Sequence, residues 1–300
     1  MTTREVYRHT KRFVGLKLLL SFLMMIVIGS TVYLFVGLAL FFTQVSLIMW
    51  IIIGLIVILL LLWIGDLLRF RLRAAHVATV VGITTSDELP EQATMVTQGL
   101  ARVNEKGLGI IGFYFLFRLS FLAARQIATR VVSRTDQITA NLPGGFIVQK
   151  FKRYFIKSVI KSAPEAILAW NFFRRDEPAV AATVNGTRIY FKHFPRMLIS
   201  GIKTSIMVVI AYGIAFLIMI GTAIFALIAW NIWILLGSVG VILAVRLIKT
   251  AFIDSLMMVR VVHSFMQLAP ETQLSDTDLQ PLRSCPRYRK LERKAAKLGF

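Results

Sequence analysis

Residues 205–245 read SIMVVIAYGIAFLIMIGTAIFALIAWNIWILLGSVGVILAV and contain no Asp, Glu, Lys, Arg or His. About 20 apolar residues cross the hydrocarbon core of a bilayer, so the run is too long for one span and suits two. Trp230 and Asn231 favour the membrane–water boundary, which puts the expected turn at Ala229-Trp230-Asn231. Helices that are apolar all round for this length belong in lipid rather than in a soluble core. The stretch predicts an all-α, polytopic membrane protein.

A second charge-free run, Leu18 to Gly65, precedes it. It divides into two expected spans, residues 18–41 and 45–64, with Thr43-Gln44 at the turn. Both runs have cationic bases. Lys11, Arg12 and Lys17 face Arg69, Arg71 and Arg73, while Lys192, Arg196 and Lys203 face Arg246 and Lys249. Cations concentrate on the cytoplasmic side of membranes. Four transmembrane helices in two hairpins follow, in an inner or plasma membrane, with both termini cytoplasmic. The chain then divides into an N-terminal hairpin (1–73), a cytoplasmic membrane-associated segment (74–204), a C-terminal hairpin with a helical extension (205–268) and a basic tail (269–300).

Composition agrees with this class. Hydrophobic residues make up 57% of the 300, and 35 Lys plus Arg outnumber 15 Asp plus Glu, for a net charge of +20. In a membrane protein such an excess points first to anionic lipid. Cys285 is the only cysteine, which excludes a disulfide framework and a cysteine metal site and suits a free thiol in a reducing compartment. The first apolar run is too long for a cleaved signal peptide and lacks a small-x-small exit, so it is expected to stay as a span.

The middle segment carries two amphipathic stretches. In GIIGFYFLFRLSFLAARQIATRVVSR, Arg118 and Arg125 share a helical face and Arg130 and Arg134 lie beside or beyond it. Phe113, Leu116, Phe117, Phe121, Ala124, Ile127 and Val131 face away. In FIVQKFKRYFIKSVIKS, Lys150, Arg153, Lys157 and Lys161 recur at spacings of three and four, opposite Val148, Phe151, Phe155 and Val159. Both patterns fit helices lying in the membrane interface, their cations on anionic lipid. The first fits equally a helix packed on the protein's own spans.

Pro164 opens a further helix, with Ser162 as its cap, running to Arg175. Asn185-Gly186 predicts a turn. Helix is expected to continue after Lys249 to about Leu268, ahead of Pro270, and the tail to be helical and exposed from Tyr288.

Chemistry is sparse. The chain contains no P-loop, dinucleotide glycine fingerprint, His-Glu-x-x-His or cysteine pair. No catalytic residue, metal or cofactor is assigned, and enzymatic activity is not expected. His76 and His193 are expected at the membrane interface rather than on a metal. Lys17, Asp66, Arg246, Lys249 and Asp254 are the charges nearest the apolar runs. Charge in or beside a span is costly, which makes Asp66, Arg246 and Asp254 candidate intramembrane or pathway charges. Structural pairing is the simpler account of them: Asp66 can pair with Arg69, Asp254 with Arg246 or Lys249, and Arg246 can snorkel. Nucleic acid would account for the cations and interleaved aromatics of 113–161, but the strongly apolar opposite faces suit lipid better.

The last third has one further pattern. A basic amphipathic stretch leads into AVAATVNGTRIYFKHF, two closely spaced spans and IKTAFIDSLMMV. This order resembles the C-terminal region of the choline transporter-like family. There a motif ending in aromatics precedes the last spans and an aspartate lies in the final helix. The resemblance implies membrane transport and makes Gly186, Phe191 and Asp254 the corresponding positions. The family's cysteine-containing motifs and larger number of spans have no counterpart. Two functions are therefore expected: a non-enzymatic membrane subunit or scaffold, within a homo-oligomer or with protein partners and with a basic lipid-binding face, or a small transporter or channel for a polar or charged solute.

Overall fold

The computed structural model describes residues 1–41, 47–86, 94–105, 110–139, 159–197, 249–275 and 282–297, with isolated positions between 199 and 247. Every regular element among the described residues is helical. Two helices, Lys11–Phe41 and Ile48–Thr85, are long and apolar enough to cross a membrane.

A short helix α1 (Thr3–His9) opens the chain with a capping box. The Thr2 amide donates to Glu5 Oε2 at 2.7 Å, and the Glu5 amide donates to Thr2 Oγ1 at 3.4 Å. The pair satisfies two amides that a helix start leaves free. Val6 then drops into the core.

Helix α2 (Lys11–Phe41) buries Phe13, Val14, Ser21 and Met24, all in its first half. Beyond them Leu34, Val36, Leu40 and Phe41 are exposed. Helix α3 (Leu47–Ser86) returns alongside it with Ile51, Ile52, Leu55, Ile56 and Leu59 exposed. Apolar faces open to the surroundings at this length are the pattern of lipid contact.

Helix α3 does not stop at the arginine cluster. Its 40 residues make a rod about 60 Å long at 1.5 Å per residue, twice the hydrocarbon thickness. The stretch from Ala74 to Ile83, AAHVATVVGI, is buried on every side. It forms the central post of a helical body. Each fully buried Val or Ile in it contributes about 1.5–3 kcal/mol.

Helix α4 (Met95–Glu105) lies directly on this post. A Cβ on Gly99 would stand 2.6 Å from the Ala75 carbonyl oxygen and 2.7 Å from Thr79 Oγ1, so only glycine permits the approach.

Helix α5 (Ile110–Thr139) carries the first arginine stripe. Phe113, Leu116, Ala124 and Ile127 are buried, as is Tyr114. Phe113 stacks on Phe172 at 6.1 Å between ring centroids, and Phe70 of α3 meets Tyr114 at 5.5 Å and Phe117 at 5.1 Å. Protein covers these apolar positions of α5, while the side chain of Val131 lies outside the described residues.

Helices α6 (Ala163–Phe173) and α7 (Ala179–Lys192) pack as an antiparallel pair. Ser162 occupies the N-cap position of α6 but makes no side-chain capping bond. The turn expected at Asn185-Gly186 is absent, because α7 runs straight through both residues. Packing overrides the turn chemistry: a Cβ on Gly186 would lie 3.1 Å from Trp170 Cβ and 3.3 Å from the Ile167 oxygen.

A π-turn at Lys249–Ile253 leads into α8 (Asp254–Leu268), which ends as the proline rule predicts. The tail forms α9 (Pro286–Ala296). It is helical as expected but not simply exposed, since Tyr288, Leu291 and Ala295 are buried. Arg188 of α7 clamps it, donating through Nε to the Tyr288 hydroxyl at 2.7 Å and pairing through Nη2 with Glu292 at 2.9 Å.

One hydrophobic core takes residues from Val6 to Ala295. It therefore draws on the N-terminal hairpin segment, the middle segment, the helix after 249 and the tail together. The expected turns at 43–44 and 229–231 lie outside the described residues. So does nearly all of 205–245, although Ile206, Ile210, Phe216, Leu217 and Phe225 within it are helical and exposed.

Candidate functional site

The charges at the base of the first hairpin converge. Lys17 is the last cation of α2 before the apolar run, and Ser21 follows one turn later on the same face. From α3 come Arg69 and Arg73, also one turn apart. Lys161, Ser162 and Glu165 enter from the start of α6. The π-turn and α8 supply Lys249, Thr250, Asp254 and Ser255. These side chains, with Met257 and Met258, line a cavity of about 330 Å³. Single π-turns recur at functional sites because they re-aim the side chains of a helix.

Its ion pairs link separate elements. Asp254 takes Lys161 at 3.1 Å and Lys249 at 3.3 Å. Arg73 reaches Glu165 at 3.4 Å. The Glu165 carboxyl is buried. Burial pushes its pKa up, and the cations Arg73, Lys161 and Lys17 oppose that shift. Glu165 Oε2 has no hydrogen-bond partner among the described residues.

Lys17 makes contacts of another kind. Its Nζ lies 2.9 Å from His76 Nδ1 and donates to Ser255 Oγ at 3.0 Å. The imidazole stacks flat on Phe13, 4.7 Å between ring centres and 2° between planes. With Lys17 donating, Nδ1 accepts and the ring proton sits on Nε2. Among the described residues Lys17 has no carboxylate within ion-pair distance. The cavity holds five cationic side chains against two carboxylates. Its hydroxyls and ammonium groups are the donor types that an anion pairs with.

Each sequence-predicted site residue now has a place. Asp66 is paired with Arg69 at 3.8 Å, as its spacing suggests, and also lies 4.0 Å from Arg118. Asp254 pairs with Lys249 as expected, and additionally with Lys161. Arg118 folds back onto the Tyr114 hydroxyl at 3.0 Å, and Arg125 is exposed. Lys161 faces the cavity. Arg246, Lys150, Arg153 and Lys157 lie outside the described residues, as do the side chains of Arg130 and Arg134. Of the positions tied to the family resemblance, Gly186 serves helix packing, Phe191 packs partly buried on the core, and Asp254 lines the cavity.

Two residues escaped the sequence reading. His76 is not interfacial but fully buried. Glu165 drew notice only as part of a helix start. It is the one acid between Asp136 and Asp176 in a strongly basic segment, and that isolation was its signal. Among the described residues no group of three His, Cys, Asp or Glu side chains comes together as a metal site. Comparison with protein-family models, curated proteins and solved structures finds no match to this chain.

Proposed function

We propose that this chain is a non-enzymatic integral membrane subunit or scaffold. Its first hairpin anchors a cytoplasmic helical body, and a second hairpin at 205–245 completes four spans. The carrying observation is α3, one unbroken helix with lipid-type exposed faces along one half and a fully buried post along the other. Anchor and body are thus one rigid piece. Both termini lie on the cytoplasmic side in this reading, because the cations flank the spans there. Exposed Arg125 and the cations of α9 supply the basic surface toward anionic lipid. Alkaline carbonate extraction tests the anchor. The full chain stays in the membrane pellet, and release into the supernatant would remove the proposal.

The cavity favours a second reading, a transporter or channel for a charged solute. Charged groups of both signs meet at the base of the spans, and Asp254, the position tied to the choline transporter-like resemblance, is among them. Proteoliposomes distinguish the two: a transporter moves a labelled anion down its gradient, and a scaffold does not.

A further inference from the structure

We infer that the basic cavity holds the phosphate group of an anionic membrane amphiphile, clamped between Lys17 and Arg69. The inference rests on the membrane reading above and adds the chemistry of the ligand.

Charge balance comes first. The carboxylates in the cavity already have partners: Asp254 has two lysines and Glu165 has Arg73. Among the described residues Lys17 hydrogen-bonds a neutral hydroxyl and an imidazole, while the exposed Arg69 meets Asp66 at 3.8 Å. With no carboxylate in direct contact, the ammonium feels Glu165 and Asp254 only across the cavity, and an anionic oxygen at contact distance adds to that stabilisation. Ser21, Thr250 and Ser255 add hydroxyl donors beside it. Glu165 is engaged by Arg73, and burial raises its pKa.

Depth selects an amphiphile over a soluble anion. The hydrocarbon core is about 30 Å thick and the whole bilayer about 40–45 Å, which leaves about 5–7 Å of headgroup layer on each side. Lys17 is one residue from the charge-free run and Arg69 is four, so they stand about 1.5 and 6 Å from its edge along their helices. Both cations therefore lie at phosphate depth. Leu19, Phe22 and Leu23 of α2 and Leu68 of α3 are exposed beside them, an apolar surface for acyl chains.

The test uses the full chain in a neutral detergent, shown beforehand to resist carbonate extraction. Native mass spectrometry then counts lipids retained after addition of phosphatidic acid, phosphatidylcholine or inorganic phosphate. Wild type should retain one phosphatidic acid per chain in preference to phosphatidylcholine. K17Q and R69Q should each weaken retention about fivefold, the effect of one cation at an anionic surface. K290Q, on the exposed face of α9, should not. Should K17Q fail to fold, R69Q carries the test alone, since its side chain is well exposed. K17R should restore retention.

Equal retention of phosphatidylcholine, or retention unchanged in R69Q, overturns the inference. Inorganic phosphate that displaces the lipid at millimolar concentration, with the same dependence on Arg69, reassigns the cavity to a soluble anion. Release by carbonate is a separate result and removes the membrane reading itself.

Discussion

Glu165 shows how one buried side chain ties the body to the hairpin, through Arg73. Its folded-state pKa is raised above the usual 4.5 by burial. The protonated carboxyl thus contributes stability that is fully present below about pH 4.5, and that stability is lost as pH climbs through the raised value. E165Q has no such titration. Wild type should therefore lose thermal stability relative to E165Q as pH rises from 4.5, read as the difference between two melting curves in detergent. A constant difference would show that the attraction of Arg73 cancels the effect of burial. Gly186 makes the same point about packing. A larger side chain there meets Trp170 and a backbone oxygen, so G186L should cost about 1–3 kcal/mol in denaturant unfolding. A G186L protein as stable as wild type would mean that α6 and α7 separate freely.

Helix α9 is an amphipathic element whose buried edge follows directly from Tyr288, Leu291 and Ala295 at spacings of three and four. Cys285 at its start is fully buried and reports whether it is docked. R188A leaves Tyr288 and Glu292 without their clamp, at a cost of about 1–3 kcal/mol. Maleimide should label Cys285 at least several-fold faster in R188A than in wild type, with helicity unchanged. Equal rates would place the docking energy in Leu291 and Ala295 alone.

What was legible at this scale followed the physics of the signal. The charge-free run at 18–65 announced two spans because lipid imposes length and composition directly. Periodicity located the apolar face of α5 but carried no information about what covers it. The arginines at 69–73 mark the base of the hairpin, although AAHVATVVGI beyond them is apolar enough for the helix to continue. Lys17, Lys249 and Asp254 were legible as boundary charges. Their meeting with His76 and Glu165 was not, since Lys17 and Ser255 are 238 positions apart and only tertiary packing joins them.

At the scale of the molecule, the arrangement proposed here puts the hairpin tip on one side of the membrane and the body on the other. In a C285S background, Q44C should react with a membrane-impermeant thiol reagent in intact cells, and Q98C should react only after lysis. Gln98 is exposed on α4, so failure to label it after lysis would not be a matter of burial. Labelling of Q98C in intact cells would invert the topology.

Helix α3 joins the two halves without a break, and an unbroken rod transmits angle. A span meets a thinner or thicker bilayer by tilting. About 20 residues of α3 extend beyond the charge-free run, an arm of about 30 Å. A tilt of about 10° then swings the far end by about 5 Å, the height of one helical turn. Helix α4, locked to α3 at Gly99, must travel with it. In the membrane reading proposed above, the angle of the body would then follow the tilt of its anchor, and with it the thickness of the surrounding lipid.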